Sequence, residues 1–578
     1  MRKHDRCDGG SATVAGTPLS ARSAAPAVTG VGLLTLCVVL VKIIGLGFKI
    51  PMSYRLGSAG MSTYNSAYTI YTWLYMISTA GFPVAVSVAV SGCFARGDLV
   101  GARRYRRLSL AILSLLGIAG WAIMFFCADP LACAIGSPDA AACIRSIAPT
   151  LFFICISSAL RGWFQGCGRM APSALSQLWE AIGKAAIGVA LATRALRRGA
   201  SPAEASAYAV WGVTIGVMLG CLHLLLTLRV DGLRRRPVPE ADRSEGDRST
   251  LARMAGRLLR LALPITVSAS VMSLTNLLDL GVMMRRLLSI GYDTAAAEAM
   301  YGAYTTAAVP VFHLPSVLVY PLAGALVPLL SGQTARRQGE ECRAPITAVC
   351  RVTACLTVPA ALGLLVLAEP VLLLIFPEEM AYAAAPLLRI LAPGVILTGL
   401  LAVTNSVLQA YLHPGIPVLS MLCGGGVKLL AAWLLAPVCG VMSTPLSTLL
   451  CYAVAVAINL AAVSRITRIP VTAFFGAGGA FAAGALCAAA AFAGYTLAAR
   501  YMPLRPAVLA ALALAAVVCL AAAVLLRAVT REDIEAIPGG GQKLSRLPFI
   551  KERKHQNDPG RKDRRTLRQT KLFGGGSV

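Results

Sequence analysis

Runs of about 20 apolar residues, the length that carries a helix across the hydrocarbon core of a bilayer, can be drawn fourteen times along this chain. They begin near Ala27, Ser66, Leu108, Ser146, Pro172, Ala205, Leu258, Gly302, Ala344, Ala385, Gly415, Thr444, Val471 and Ala507. Only 14% of the 578 residues are charged and the mean hydropathy is +0.70, which a soluble chain of this size could hardly tolerate. An all-α integral membrane fold with fourteen transmembrane helices is therefore predicted. The first 26 residues are polar, and the apolar segment after them is longer than a signal-peptide core, so it reads as a retained helix.

Basic residues set the orientation. Between fourteen spans, 38 of the 53 Lys and Arg fall on one side and 9 on the other, so both termini are predicted to be cytoplasmic. The net charge of +27 sits mostly in tails and loops of that side, where anionic lipid head groups are its expected partners. The tail from Lys551 to Lys571 interleaves no aromatic residues with its charges, and no nucleic-acid role is expected. The 17 cysteines are scattered without a CxxC pair and the five histidines lack ligand spacing, so neither disulfides nor a metal site is expected.

Six cations remain inside spans: Lys42, Lys49, Lys184, Arg351, Arg389 and Lys428. Only Glu180 and Asp279 oppose them there. A cation at mid-bilayer costs roughly 2.5 to 3.5 kcal/mol, so such residues normally face a protein interior or a wet cavity. A cavity with more cations than anions favours an anionic ligand. Lys42 and Lys49 are seven residues apart and share a helix face, with Arg55 six residues further on. Tyr64, Tyr68, Tyr71 and Tyr75 form one stripe down the next helix, read either as packing or as a cavity wall together with Gln165. Glu180 and Lys184, four apart, form either a self-neutralising pair or a cavity cation with its acidic partner, suited to ion coupling.

The chain also repeats itself. Gln165 and Lys184 match Gln409 and Lys428 at an offset of 244, and Tyr64 matches Tyr304 at 240. Two pseudo-symmetric six-helix lobes around a central cavity follow, inserted in the same sense. The predicted organisation is a tail (1–26), an N-lobe (27–228), a linker (229–257), a C-lobe (258–468), two extra helices (469–528) and a basic tail (529–578). In this scheme Arg285 and Arg286 flank the cavity opposite Arg55, and Asp279 pairs with a cation across the cleft.

The segments VKIIGLGFKIPM, RGWFQGCGRMAPSALSQLWE, LPITVSASVMSLTNLLD and YGAYTTAAVPVFHLPSVLVYPLAGALVPLLS resemble the stage V sporulation protein B and lipid II flippase group of polysaccharide-biosynthesis proteins. That group belongs to the multidrug/oligosaccharidyl-lipid/polysaccharide flippase superfamily. The resemblance runs from about Gly30 to Arg468. It implies a monomer in the bacterial cell membrane that transfers an undecaprenyl-pyrophosphate-linked saccharide by alternating access, without a cofactor. It also implies cavity roles for Lys42, Lys49 and Arg55. Coupling to the membrane potential or to a monovalent cation is compatible with it. Two rivals are weaker. A cation-coupled drug antiporter wants more cavity carboxylates, and a glycan polymerase or ligase wants a large external loop with clustered acids, Arg or His.

Overall fold

A computed structural model describes residues 24–234, 248–335, 343–471 and 479–526. The basic C-terminal tail and nearly all of the N-terminal tail fall outside the described residues. The first half of the chain forms α1 (Ala24–Thr79), α2 (Phe82–Ala95), α3 (Leu99–Phe126), α4 (Ala128–Ala134), α5 (Ala140–Gly166), α6 (Ala171–Arg197) and α7 (Pro202–Arg234). The second half forms α8 (Arg248–Ser289), α9 (Thr294–Ala303), α10 (Val309–His313), α11 (Ser316–Ala335), α12 (Arg343–Ile375), α13 (Glu378–Leu391), α14 (Gly394–Ala410), α15 (Gly415–Cys439) and α16 (Ser443–Thr467). Two further helices, α17 (Gly479–Ala498) and α18 (Leu504–Leu525), pack on each other and on α12.

Eight helical stretches among the described residues are long and apolar enough to cross a membrane, and up to ten if two bent pairs each count once. Two of the eight, Leu40–Ala95 and Gly415–Thr467, run 56 and 53 residues. At 1.5 Å per residue each is roughly 80 Å long, against a hydrocarbon core of about 30 Å. The first bends at Gly57, whose φ of 65° and ψ of −171° suit a residue without a Cβ. Helices α6 and α8 have the length but not the apolarity, because they carry Glu180, Lys184 and Asp279 among other charges. Composition thus passes over the helices that hold charge inside the bundle.

Small residues set the closest helix contacts. A Cβ on Gly183 of α6 would stand 2.3 Å from the Cα of Gly216 of α7, so the two backbones touch. The sequence repeat is visible in the turns as well. Gly168 after α5 and Leu412 after α14, at the offset of 244, both adopt positive φ, 75° and 61°. The linker expected at 229–257 is shorter: Arg229–Arg234 completes α7 and Arg248–Arg257 opens α8, with only 235–247 outside the described residues. Arg253, Arg257 and Arg260 lie on one face of α8 at helical spacing, which lets the helix run on past the apolar segment with its charges exposed.

The two halves meet along two seams. Near the basic loops, Leu258 and Ala262 of α8 are buried against Phe82 and Val86 of α2. A Cβ on Gly81 there would lie 2.2 Å from the Ala262 carbonyl oxygen. Toward the opposite end, a Cβ on Gly302 of α9 would lie 2.0 Å from the Ser58 carbonyl oxygen of α1. Gly302→Ala is therefore expected to open that second seam. Relieving an overlap worth about 1–3 kcal/mol would shift the conformational equilibrium at least severalfold. A spin-label distance between α1 and α9 should lengthen, and an unchanged distance would contradict the seam.

Candidate functional site

Lys42 and Lys49 occupy one face of α1, as their spacing requires. Lys42 is exposed and Lys49 is half-buried. The Lys49 ammonium donates to the Thr305 carbonyl at 2.8 Å. That carbonyl is available for a local reason. Tyr304–Ala308 is a π-helical turn in which Val309 N–H bonds the Tyr304 carbonyl, five residues back. In that register the donor due to Thr305 is residue 310, a proline with no N–H. Lys49 takes the vacant acceptor. Beside it, the Asn65 amide donates to the hydroxyls of Thr305 and Thr306 at 3.0 and 2.7 Å.

His313 and Thr305 line a pocket of about 370 Å³ whose lining comes from the second half of the chain apart from Thr69 of α1. Tyr301, Tyr304, Tyr320 and Tyr452 give it aromatic walls, and Asp279 and Lys428 give it charge. The Lys428 ammonium meets one Asp279 carboxylate oxygen at 3.0 Å and Asn276 Oδ1 at 3.4 Å. Both charged residues are buried, at 4% and 6% exposure, and the second Asp279 oxygen has no hydrogen-bond partner. In the other lobe Lys184 lies over the rings of Tyr68, Phe48 and Tyr64, at 4.3, 5.2 and 5.8 Å from their centroids. At the matched positions, Lys184 lies over the Tyr64 ring, and Lys428 and Tyr304 line one pocket.

Several expected placements differ. Glu180 is held by Arg161, which also donates to Ser176 at 2.9 Å, so the pair with Lys184 does not form. The buried guanidinium from α5 offers the carboxylate more donors than the lysine one turn away. Tyr64 is 1% exposed and packs against Phe48 and Lys184, so it is not an open wall, while Tyr68 is half-buried beside it. Gln165 lies on the last turn of α5, where its neighbour Gly166 packs on Val90, and is absent from the pocket lining.

The predicted arginines also lie elsewhere. Arg55 is exposed and donates back to the Pro51 carbonyl at 3.0 Å, because six residues past Lys49 turns it to another helix face. Arg285 is exposed and donates to the Ala134 carbonyl at 2.9 Å, tying the two halves together away from the pocket. Arg286 stacks 4.3 Å over Trp433 of α15, along the interface that Asp279 and Lys428 occupy about 10 Å earlier on α8. Asp279 finds its cation within its own half of the chain. His313, Tyr301, Tyr452 and Arg161 belong to these sites but were not singled out from sequence, where Lys428 and Tyr304 stood only as an in-span cation and as repeat partners. The offsets linking Lys428 to Lys184 and Tyr304 to Tyr64 were the available signal.

Long apolar helices with charges gathered in a pocket among them define a multi-pass membrane protein. The chain belongs to the polysaccharide biosynthesis protein family, whose model matches residues 27–333. Over 431 residues it is 26% identical to the uncharacterized membrane protein YabM of Bacillus subtilis (strain 168), covering 75% of this chain and 79% of that protein. Stage V sporulation protein B of the same organism is 25% identical over 431 residues, covering 74% and 82%. Its lipid II flippase MurJ is 24% identical over 414 residues, covering 69% and 75%.

Two solved structures share the fold. A lipid II flippase MurJ in an inward closed conformation has a TM-score of 0.65 at 14% identity, over 86% of this chain and 99% of that one. An inward-facing multidrug resistance MATE family transporter of the MOP superfamily has a TM-score of 0.60 at 15% identity, over 75% and 94%. The chain thus shares its fold with a lipid II flippase and a multidrug transporter.

Proposed function

We propose that the protein moves an undecaprenyl-pyrophosphate-linked saccharide, lipid II or a related cell-envelope or spore-cortex precursor, from the inner to the outer leaflet. The observation that carries this reading is the charge of the site. Lys49 bonds the carbonyl of Thr305, which lines a pocket whose one carboxylate among the described residues, Asp279, is already bound to Lys428, and Lys42 shares the Lys49 face of α1. Lys184 lies in the other lobe with ring faces around it. A diphosphate entering this space supplies the counter-ion these groups lack, in a medium that strengthens the attraction.

The polar and aromatic lining of the pocket suits the saccharide, with rings to stack on its apolar faces and hydroxyl and amide groups to bond its hydroxyls. The lobes then rock about the site while the prenyl chain stays in lipid. In this reading the two overlong stretches each cross twice and α6 and α8 also cross, which gives fourteen spans in two six-helix lobes plus α17 and α18. Both termini are then cytoplasmic. An inside-negative potential pulls the emptied cationic cavity back toward the cytoplasm.

A cation-coupled antiporter is the second reading within the superfamily. Asp279 is neutralised by Lys428 and Glu180 by Arg161, which leaves neither free to bind a coupling cation in this conformation. Expression in a bacterium depleted of its own lipid II flippase tests the proposal. Rescue of growth is the expected result. Lysis despite normal levels of the inserted protein would overturn lipid II as cargo.

A further inference from the structure

A second cavity lies outside the site above. It measures about 630 Å³ and is lined by Val88 of α2 and by Arg253, Gly256, Arg257, Arg260 and Leu261 of α8. It lies between the two halves of the chain, beside the contact of α2 with α8 at Gly81 and Ala262. Gly256 keeps the space open, since a Cβ there would meet nothing within 4 Å.

Three guanidinium groups at spacings of four and three stand on one helix face, where like charges repel. No carboxylate among the described residues pairs with Arg257 or Arg260. Further into the membrane, Val84 and Val88 of α2 and Leu261 and Ile265 of α8 are each 38–52% exposed, an apolar strip continuous with the arginine pocket. Cations at a membrane surface with apolar flanks above them match a lipid that has its phosphates at the surface and its chains in the strip.

We propose that this pocket is a site for the head group of a resident acidic phospholipid carrying two phosphates, held between α2 and α8. It shares no lining residue with the pocket of Asp279 and Lys428. That favours a structural lipid of the bilayer over the cargo. A lipid bridging α2 and α8 would hold the basic-end seam closed.

The test uses the full-length protein, delipidated in neutral detergent and titrated with cardiolipin, phosphatidylcholine or undecaprenyl diphosphate, read by native mass spectrometry and thermal stability. Cardiolipin should bind and stabilise the wild type, and phosphatidylcholine should not. Arg257→Gln combined with Arg260→Gln should weaken cardiolipin binding about thirtyfold, the effect of removing two headgroup cations. The Arg257→Lys and Arg260→Lys pair should retain most of it. Lys42→Ala should bind cardiolipin normally, which separates this site from the transport site. Equal cardiolipin binding by the Gln variant, with an unshifted melting temperature in phosphatidylcholine proving it folded, would overturn the proposal. So would binding of the prenyl diphosphate but not cardiolipin at these arginines.

Discussion

Lys184→Ala should reduce flipping of a lipid-linked saccharide at least tenfold while leaving the protein as stable as before or more so. The cation sits among Tyr68, Phe48 and Tyr64, and no carboxylate among the described residues neutralises it. Ring faces return up to about 2 kcal/mol to a desolvated cation. Taking an ammonium out of water costs several kcal/mol. The balance is against stability, so the residue is retained for what it binds. Loss of one charge-assisted contact of about 1.5–3 kcal/mol to a phosphate corresponds to a factor of about 10 to 100. Lys184→Arg should keep part of the activity, since it keeps the charge. An alanine variant that unfolds at lower temperature yet flips at the wild-type rate would assign Lys184 to packing instead.

The second large effect concerns the buried pair of the other lobe. Asp279→Ala strands the Lys428 charge at 4% exposure, and breaking a buried pair from one side costs about 3–5 kcal/mol. Asp279→Ala combined with Lys428→Met should recover most of that loss, because no isolated charge remains. A thermodynamic cycle over the four proteins, followed by unfolding in detergent, should give a coupling of about 2 kcal/mol or more. Additive losses would mean that the two side chains do not depend on each other. Transport is expected to be impaired in all three variants, since Asp279 and Lys428 also line the pocket.

Which parts were legible in the sequence follows from the range of the interactions. Lys42 and Lys49 share a face because seven residues is nearly two turns, and nothing distant was needed to see it. The two lysines matched by the repeat, Lys184 and Lys428, do occupy tyrosine-lined places in their respective lobes. Partners set by packing between helices were not legible. Glu180 looked paired with Lys184 one turn away, but the bundle brings Arg161 from α5 to it. Arg286 was placed on a cavity, but α15 offers it the face of Trp433 first.

Pro310 was visible in the sequence, but only the π-helical register around Tyr304 turns its missing N–H into an acceptor for Lys49. The fold was easier to read than the site for a related reason. Apolar length reports on lipid, which surrounds every helix alike. Charge placement reports on particular neighbours.

The most direct test of the central claim is flipping by the purified protein in liposomes. A labelled undecaprenyl-diphosphate saccharide would be placed in both leaflets and its outer-leaflet pool removed by an impermeant reagent. If the account holds, the inner pool becomes accessible with time in vesicles containing the wild type, and at least tenfold more slowly with Lys42→Ala. An inner pool that stays as protected as in empty vesicles, with the protein folded and inserted, would contradict it.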